Sequence, residues 1–488
     1  MKKLALLIPA LLAYSAIVAQ PKSTTLPPAL SSIKEADLKR DIFDIASDGF
    51  RGRRAGTIDE FRAAAWVAQK AMEAGLKPAG EDGTYFQFYN IKRTQMAANS
   101  MLSVNNQPLT LSKDYWASQP VDARFSGNVK WLNTMADTSA DLQGKIVAMP
   151  ILPPTPLPAK WISLYGYRYA ALAIRQQSAI LRRHGVSAII FVADAVIESE
   201  GTLAFVSHNF QEGQYVVQGS PVTARVKPLP TLLMRGALAQ QLKAGASIEA
   251  DLRAETYLYP SVNVIAKAAG TDVKLKEEYI LFSGHHDHDG IGNPVAQDSI
   301  WNGADDNASV TVGMLAIGRA WVAHPGKRSV LFVWHGAEER GLLGSRWYAA
   351  HPTVNKQSIV AVLNGDMIGR NSVDSAALLG SIAPHKNSTA LVDMAYKANS
   401  SLTKFNIDTS WDDAKHPEGW YFRSDHVPYA QAGIPSIFFT SLLHPDYHTP
   451  KDEPAGISIP KLTKMTKWMY ATGWLVSQTT ARPALDGK

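Results

Sequence analysis

The stretch Tyr279-Ile-Leu-Phe-Ser-Gly-His-His-Asp-His-Asp-Gly290 sets the fold: an unbroken apolar β-type run gives way abruptly to histidines and acids. The same grammar recurs at Ser329-Val-Leu-Phe-Val-Trp334, followed by His335-Gly-Ala-Glu-Glu339, and at Ser358-Ile-Val-Ala-Val-Leu363, followed by Asn364-Gly-Asp-Met367. Pro435-Ser-Ile-Phe-Phe-Thr440 leads into a loop with His444 and His448. Apolar runs that do not alternate belong to strands buried on both faces. Helical stretches at about 308–323, 341–350, 387–400 and 459–477 separate them, with a further strand at 261–266. This rhythm predicts an α/β layer fold, a mixed central sheet with helices on both faces. In such open sheets, sites form beyond the carboxyl ends of the strands.

Toward the N-terminus, helical patterns at about 36–48 and 58–75 precede a change of texture. From about 96 to 257 short apolar and polar runs alternate among many prolines and glycines, with one helix near 172–184 before the strand Ala188–Ala193. The expected organisation is one catalytic unit, residues 36–95 and 258–488, interrupted by a β-rich insert at 96–257.

The chain of 488 residues is 46% apolar and 19% charged, an ordinary globular balance. It contains no cysteine, which excludes a disulfide scaffold, a thiol nucleophile, a thiolate zinc site and an iron–sulfur cluster. Any metal must rest on His, Asp and Glu. Lys2 and Lys3, the apolar stretch from Leu4 to about Val18, and Ala19-Gln20 read as a secretory signal over residues 1–20. The expected location is periplasmic or secreted, without stable membrane insertion. The formal charge of +6 falls by two when that leader is removed. Basic residues cluster only briefly, as in Arg51-Gly-Arg-Arg54, and no nucleic-acid recognition motif is present.

Five acid- or histidine-bearing loops thus meet one edge of the expected sheet, counting Trp301-Asn-Gly-Ala-Asp-Asp-Asn307. Singly, such groups are ordinary surface or helix caps. Together they supply imidazoles and carboxylates suited to zinc, or less specifically manganese or cobalt. So many carboxylates at one apolar edge need a cation among them.

GHHDHDG at 284–290, NGADDNAS at 302–309, AEERGLLGS at 337–345, NGDMIG at 364–369 and YHTPKDE at 447–453 resemble the bacterial di-zinc leucyl aminopeptidase family. That family has zinc-exopeptidase-type folds and includes glutamate carboxypeptidase, glutaminyl cyclase and the transferrin receptor. GFRGRRAGT at 49–57 and EAGLKPAGEDGTYFQ at 73–87 extend the resemblance. It implies two zinc ions per chain held by His285, Asp305, Glu339, Asp366 and His448, with Asp305 bridging. It further implies Asp287 orienting His285, Glu338 as general base, Tyr421 stabilising the oxyanion, and a cis peptide between Asp305 and Asp306. His286, His288 and His444 are spare imidazoles in this pattern; His448 is preferred over His444 because the family ligand sits in Tyr-His-Thr-Pro. Val310 departs from the family's glycine. GKIVAMP at 144–150 and RRHGVSAIIFV at 182–192 resemble a protease-associated domain.

The implied function is hydrolysis of N-terminal peptide bonds in peptide substrates. A zinc carboxypeptidase or dipeptidase of the same fold shares the metal set, a glutaminyl cyclase uses one zinc, and a non-catalytic receptor-like binder would have lost ligands.

Overall fold

A computed structural model describes residues 26–139, 141–155, 165–199, 201–220 and 228–487. The leader expected at 1–20 lies outside them. No helix among the described residues is long and apolar enough to cross a membrane.

The strands Tyr279–His285, Ser329–His335, Ile359–Gly365 and Ser436–Thr440 run parallel. Their sheet order is Ser436–Thr440, Ile359–Gly365, Tyr279–His285, Ser329–His335. Their register is close: His285 stands opposite His335, Phe282 opposite Leu363, and Leu363 opposite Ile437. Four carboxyl ends therefore open side by side, which is why the acidic loops meet. The sheet is mixed because Ala254–Ala268 and Phe86–Met96 continue it antiparallel beyond Ser329–His335, and Ser375–Leu379 pairs antiparallel with Ser436–Thr440.

Helices cover both faces, as the unbroken apolar strands require. Glu35–Ile45, Ile58–Glu73, Ser309–Ala323, Thr389–Ala398 and Ile459–Gln478 bury one face around Phe282, Phe332, Trp321 and Trp468. Leu343–Ala350 and His426–Gln431 cover the other around Leu281, Val333, Tyr348 and Tyr429. Thr57 caps Ile58–Glu73, its hydroxyl accepting from the Asp59 amide. Val310 is accommodated by two strand glycines: a Cβ on Gly284 or Gly365 would approach its methyl groups to 2.6 or 2.9 Å.

The region between Phe86–Met96 and Ala254–Ala268 builds a second, eight-stranded sheet with its own cores. It is more helical than its sequence texture indicates. Four central strands, within 123–131, 146–150, 188–192 and 231–234, run parallel, and the helix Thr202–Glu212 joins the expected one, which spans Tyr165–Arg183. Within Thr202–Glu212, Leu203, Val206 and Phe210 fall at i, i+3 and i+7 and pack together into one of these cores.

Candidate metal centre

Two clusters of potential ligands form at the carboxyl edge. His285, Glu338 and Asp366 make one; His288, Asp306, Glu339 and His448 make the other, with the ligand atoms of each cluster within 4.8 Å of one another. Asp306 joins the two clusters, its Oδ1 3.2 Å from His285 Nε2 and its Oδ2 3.0 Å from His448 Nε2. Asp366 Oδ2 lies 3.6 Å and Glu338 Oε2 3.7 Å from the same His285 nitrogen. Glu339 Oε2 is 3.1 Å from His448 Nε2, and its Oε1 is 2.9 Å from His288 Nδ1.

The position expected for Asp305 is therefore taken by its neighbour. Asp306 has an extended backbone, φ −104° and ψ 92°, so successive side chains point to opposite sides. Asp305 faces away: its Oδ1 accepts from the Gly369 amide at 2.6 Å and its Oδ2 lies 3.5 Å from His444 Nε2. Asp452 holds the turn, accepting from the amides of Asp305 and Asp306 at 3.0 Å. The cis peptide follows the same shift, joining Asp306 to Asn307 rather than Asp305 to Asp306. His444 is thereby the partner of Asp305, outside both clusters.

Asp287 also differs from its expected contact. Its carboxylate stands 3.7 Å from His285 Nδ1, which instead lies 3.2 Å from the Asp287 backbone carbonyl. The carboxylate accepts from the amides of Glu338 and Glu339, at 3.0 and 3.4 Å, so it orients the acidic pair. Burial pushes its carboxyl up to about 6.

The backbone is strained where the ligands sit. Ala337, Met367 and His448 take left-handed φ values of 53°, 57° and 49°, a cost that clusters at functional sites. Ser424 donates to Asp366 Oδ2 at 2.7 Å and itself accepts from the Asn364 amide group.

Arg53, within the quoted GFRGRRAGT, was not singled out by sequence and is central to the scaffold. Fully buried, its guanidinium donates to the carbonyls of Ile45, His286, Asn302 and Gly303, tying the N-terminal segment to two ligand-bearing loops. Burial lowers its pKa to about 10, while Asp287, Asp452, Asp306 and Glu339 favour its charge. Gly303 allows a close approach on that loop, since a Cβ there would fall 2.3 Å from the His288 ring.

Electrostatics divide the acids. Burial pushes the Glu338 carboxyl well above the usual range, and Glu339, Asp425 and Asp366 add to this against the opposing His285. Burial works against charge on Asp306 as well, yet the His285 and His448 rings hold its carboxyl well below that range. Acids pushed apart in this way suit different tasks, one holding charge and one exchanging protons. The donor set fits a hard-to-borderline divalent cation: imidazole nitrogens and carboxylates, buried together, with Asp366 Oδ1 lacking a hydrogen-bond partner among the described residues.

Tyr421 packs with Leu342, Met367 and Tyr447. Its ring stacks on His385 at 4.1 Å and 2°, and His385 Nδ1 is 2.9 Å from the Asp412 carboxylate. Burial raises the phenol to about 12.

Residues 263–472 match Peptidase family M28. Aminopeptidase YwaD of Bacillus subtilis is 32% identical over 167 residues, 33% of this chain and 34% of that protein. A probable leucine aminopeptidase of Arthroderma otae is 29% identical over 188 residues, 36% of this chain and 48% of that protein. The chain thus spans between a third and a half of the length of these curated relatives. An aminopeptidase from Aneurinibacillus sp. strain AM-1 shares the fold with a TM-score of 0.60 at 19% identity, over 94% of this chain and 98% of that one. BSAP, a zinc aminopeptidase from Bacillus subtilis, does so at 0.60 and 19%, over 93% and 98%.

Proposed function

We propose that this chain, whose residues 263–472 match peptidase family M28, is an exported zinc aminopeptidase that hydrolyses N-terminal peptide bonds. The observation that carries the reading is Asp306, one carboxylate reaching an imidazole on each side at 3.2 and 3.0 Å. His285, Asp306 and Asp366 would hold one zinc ion; Asp306, Glu339 and His448 would hold the other, beside His288. Bound zinc supplies Lewis-acid polarisation of a carbonyl and lowers the pKa of water toward ~7.

Glu338 takes the proton from the attacking water and returns it to the leaving amine, as its raised proton affinity suits. Asp287 aims it through the Glu338 amide. Tyr421, packed in one apolar cluster with Met367 and Tyr447, the neighbours of Asp366 and His448, donates to the developing oxyanion. Residues 96–257 form the protease-associated-type insert, and residues 1–20 the cleaved leader.

The test is amino-acid release by the zinc-loaded protein from unblocked, N-blocked and C-blocked peptides, with the zinc content measured alongside. Unblocked and C-blocked peptides lose N-terminal residues while N-blocked ones stay intact. Release from unblocked and N-blocked peptides with none from the C-blocked would defeat the reading and favour a carboxypeptidase; one zinc per chain would favour a cyclase.

A further inference from the structure

Two ion-pair chains leave the inserted region and end on the same short segment, Tyr447-His448. The first starts on Thr202–Glu212. Glu212 Oε2 lies 3.0 Å from Arg340 Nη1, Arg340 Nη2 lies 2.9 Å from Asp289 Oδ1, and Asp289 Oδ2 lies 3.1 Å from His448 Nδ1. The second starts on Tyr165–Arg183. Arg168 pairs with Glu418, Glu418 with Arg423 at 3.2 Å, and Arg423 donates to the Tyr447 hydroxyl at 2.8 Å.

The first chain is well buried: the side chains of Arg340 and Asp289 are 5% and 6% exposed, and that of Glu212 is 12%. Screening by solvent is weak at such depth, so each pair constrains the next. Glu212 is held from a second side by Arg54 at 2.8 Å, and the Arg340 guanidinium lies 5.6 Å from the Tyr215 ring centroid. His208, one turn before Glu212, stacks on Trp301 at 4.1 Å and brings its Nε2 to 3.9 Å from Asp289 Oδ2. By contrast, neither chain touches His285 or Asp366, which rest on strand ends and Ser424.

We propose that the inserted region is a working part of the metal centre: through Glu212, Arg340 and Asp289, braced by Arg168 and Glu418, it positions His448. This rests on the zinc reading above and goes beyond it by making one metal position, and not the other, depend on a separate part of the chain. Asp289 against Nδ1 fixes the His448 ring so that Nε2 faces Asp306 and Glu339, and a carboxylate there strengthens imidazole as a ligand. Glu212, Arg340 and Arg168 are positioning residues: they act on metal through Asp289 and Tyr447.

The experiment is a zinc titration of the full-length, metal-free chain by chelator competition, repeated with cobalt(II) to read visible absorption. His448→Ala identifies the step belonging to that side. Glu212→Gln is expected to weaken that step by about tenfold, and Glu212→Gln with Arg168→Met by up to roughly a hundredfold, the range that removing partners behind a ligand produces. The other step holds its affinity, and the cobalt spectrum changes only at the affected step. Arg340→Lys, which keeps the charge, recovers more of the affinity than Arg340→Met. If the double variant melts at a lower temperature yet binds both ions as the parent does, the contacts are structural docking only and the proposal falls. A parent chain that takes up no zinc overturns the metal reading itself, an outcome distinct from the loss of site selectivity.

Discussion

The His285 side of the centre is anchored to the sheet, whereas the His448 side hangs on loops that side chains hold in place. His285 ends a strand in parallel register with Ser329–His335, its carbonyl accepts from Thr311 at 3.0 Å, and the Asp366 amide continues the ladder to the Phe439 carbonyl at 3.1 Å. His448 sits in a turn at φ 49°, its ring held by Asp289, and Glu339 depends on the Asp287 carboxylate and His288. Backbone ladders are made by any sequence that forms the sheet, while side-chain chains fail one residue at a time. The two sides should therefore respond to different substitutions.

The sharpest way to divide them lies in adjacent glutamates. Glu338→Gln should lower kcat by roughly 10²–10⁴, the usual worth of a general base, while both zinc ions remain bound. Glu339→Gln should instead cost zinc on the His448 side. Steady-state kinetics with metal analysis checks both, and equal metal loss in the two variants would erase the distinction.

Arg53→Met should cut across the comparison. It removes the guanidinium from four carbonyls, at His286, Asn302, Gly303 and Ile45, of which Gly303 keeps the Ala308 amide at 3.3 Å. With each buried unsatisfied group worth ~1–3 kcal/mol, a stability loss of roughly 3 kcal/mol or more is expected in denaturant unfolding. A loss below ~1 kcal/mol would show that those loops do not need the staple.

His288→Phe acts on one side alone. It removes the 2.9 Å contact to Glu339 Oε1 and should weaken zinc on the His448 side by about tenfold in chelator competition. Equal weakening of both steps would contradict the separation.

Glu60 lies outside both clusters and bears on folding alone. Burial raises its carboxyl to about 8, against an ordinary value of 4.5. Between those values the folded chain holds a proton that the unfolded chain has lost, so its contribution to stability falls as pH rises from about 4.5 to about 8. Glu60→Gln should flatten that slope in unfolding measurements, gaining on the parent as pH approaches 8. An unchanged slope would assign the pH dependence to other groups.

The sheet was legible because buried parallel strands are written as unbroken apolar runs, and Tyr279–His285, Ser329–His335 and Ile359–Gly365 stop at the polar residues that form the centre. Choosing between Asp305 and Asp306 was beyond such reading: the residues are chemically identical, and only the turn held by Asp452 sends one inward. Ser375–Leu379 escaped as a short antiparallel strand at the sheet margin. Asp289 and Arg340 were invisible for another reason: their meaning depends on Glu212, a residue of the insert that sequence spacing cannot bring near.

The role of Asp306 as the shared ligand is tested by the zinc content of Asp306→Asn beside that of Asp305→Asn, each purified and metal-saturated in parallel. Asp306→Asn is expected to lose zinc from both positions, because one carboxylate serves both imidazoles, while Asp305→Asn keeps two ions per chain. Two ions in Asp306→Asn and a loss in Asp305→Asn would contradict that role.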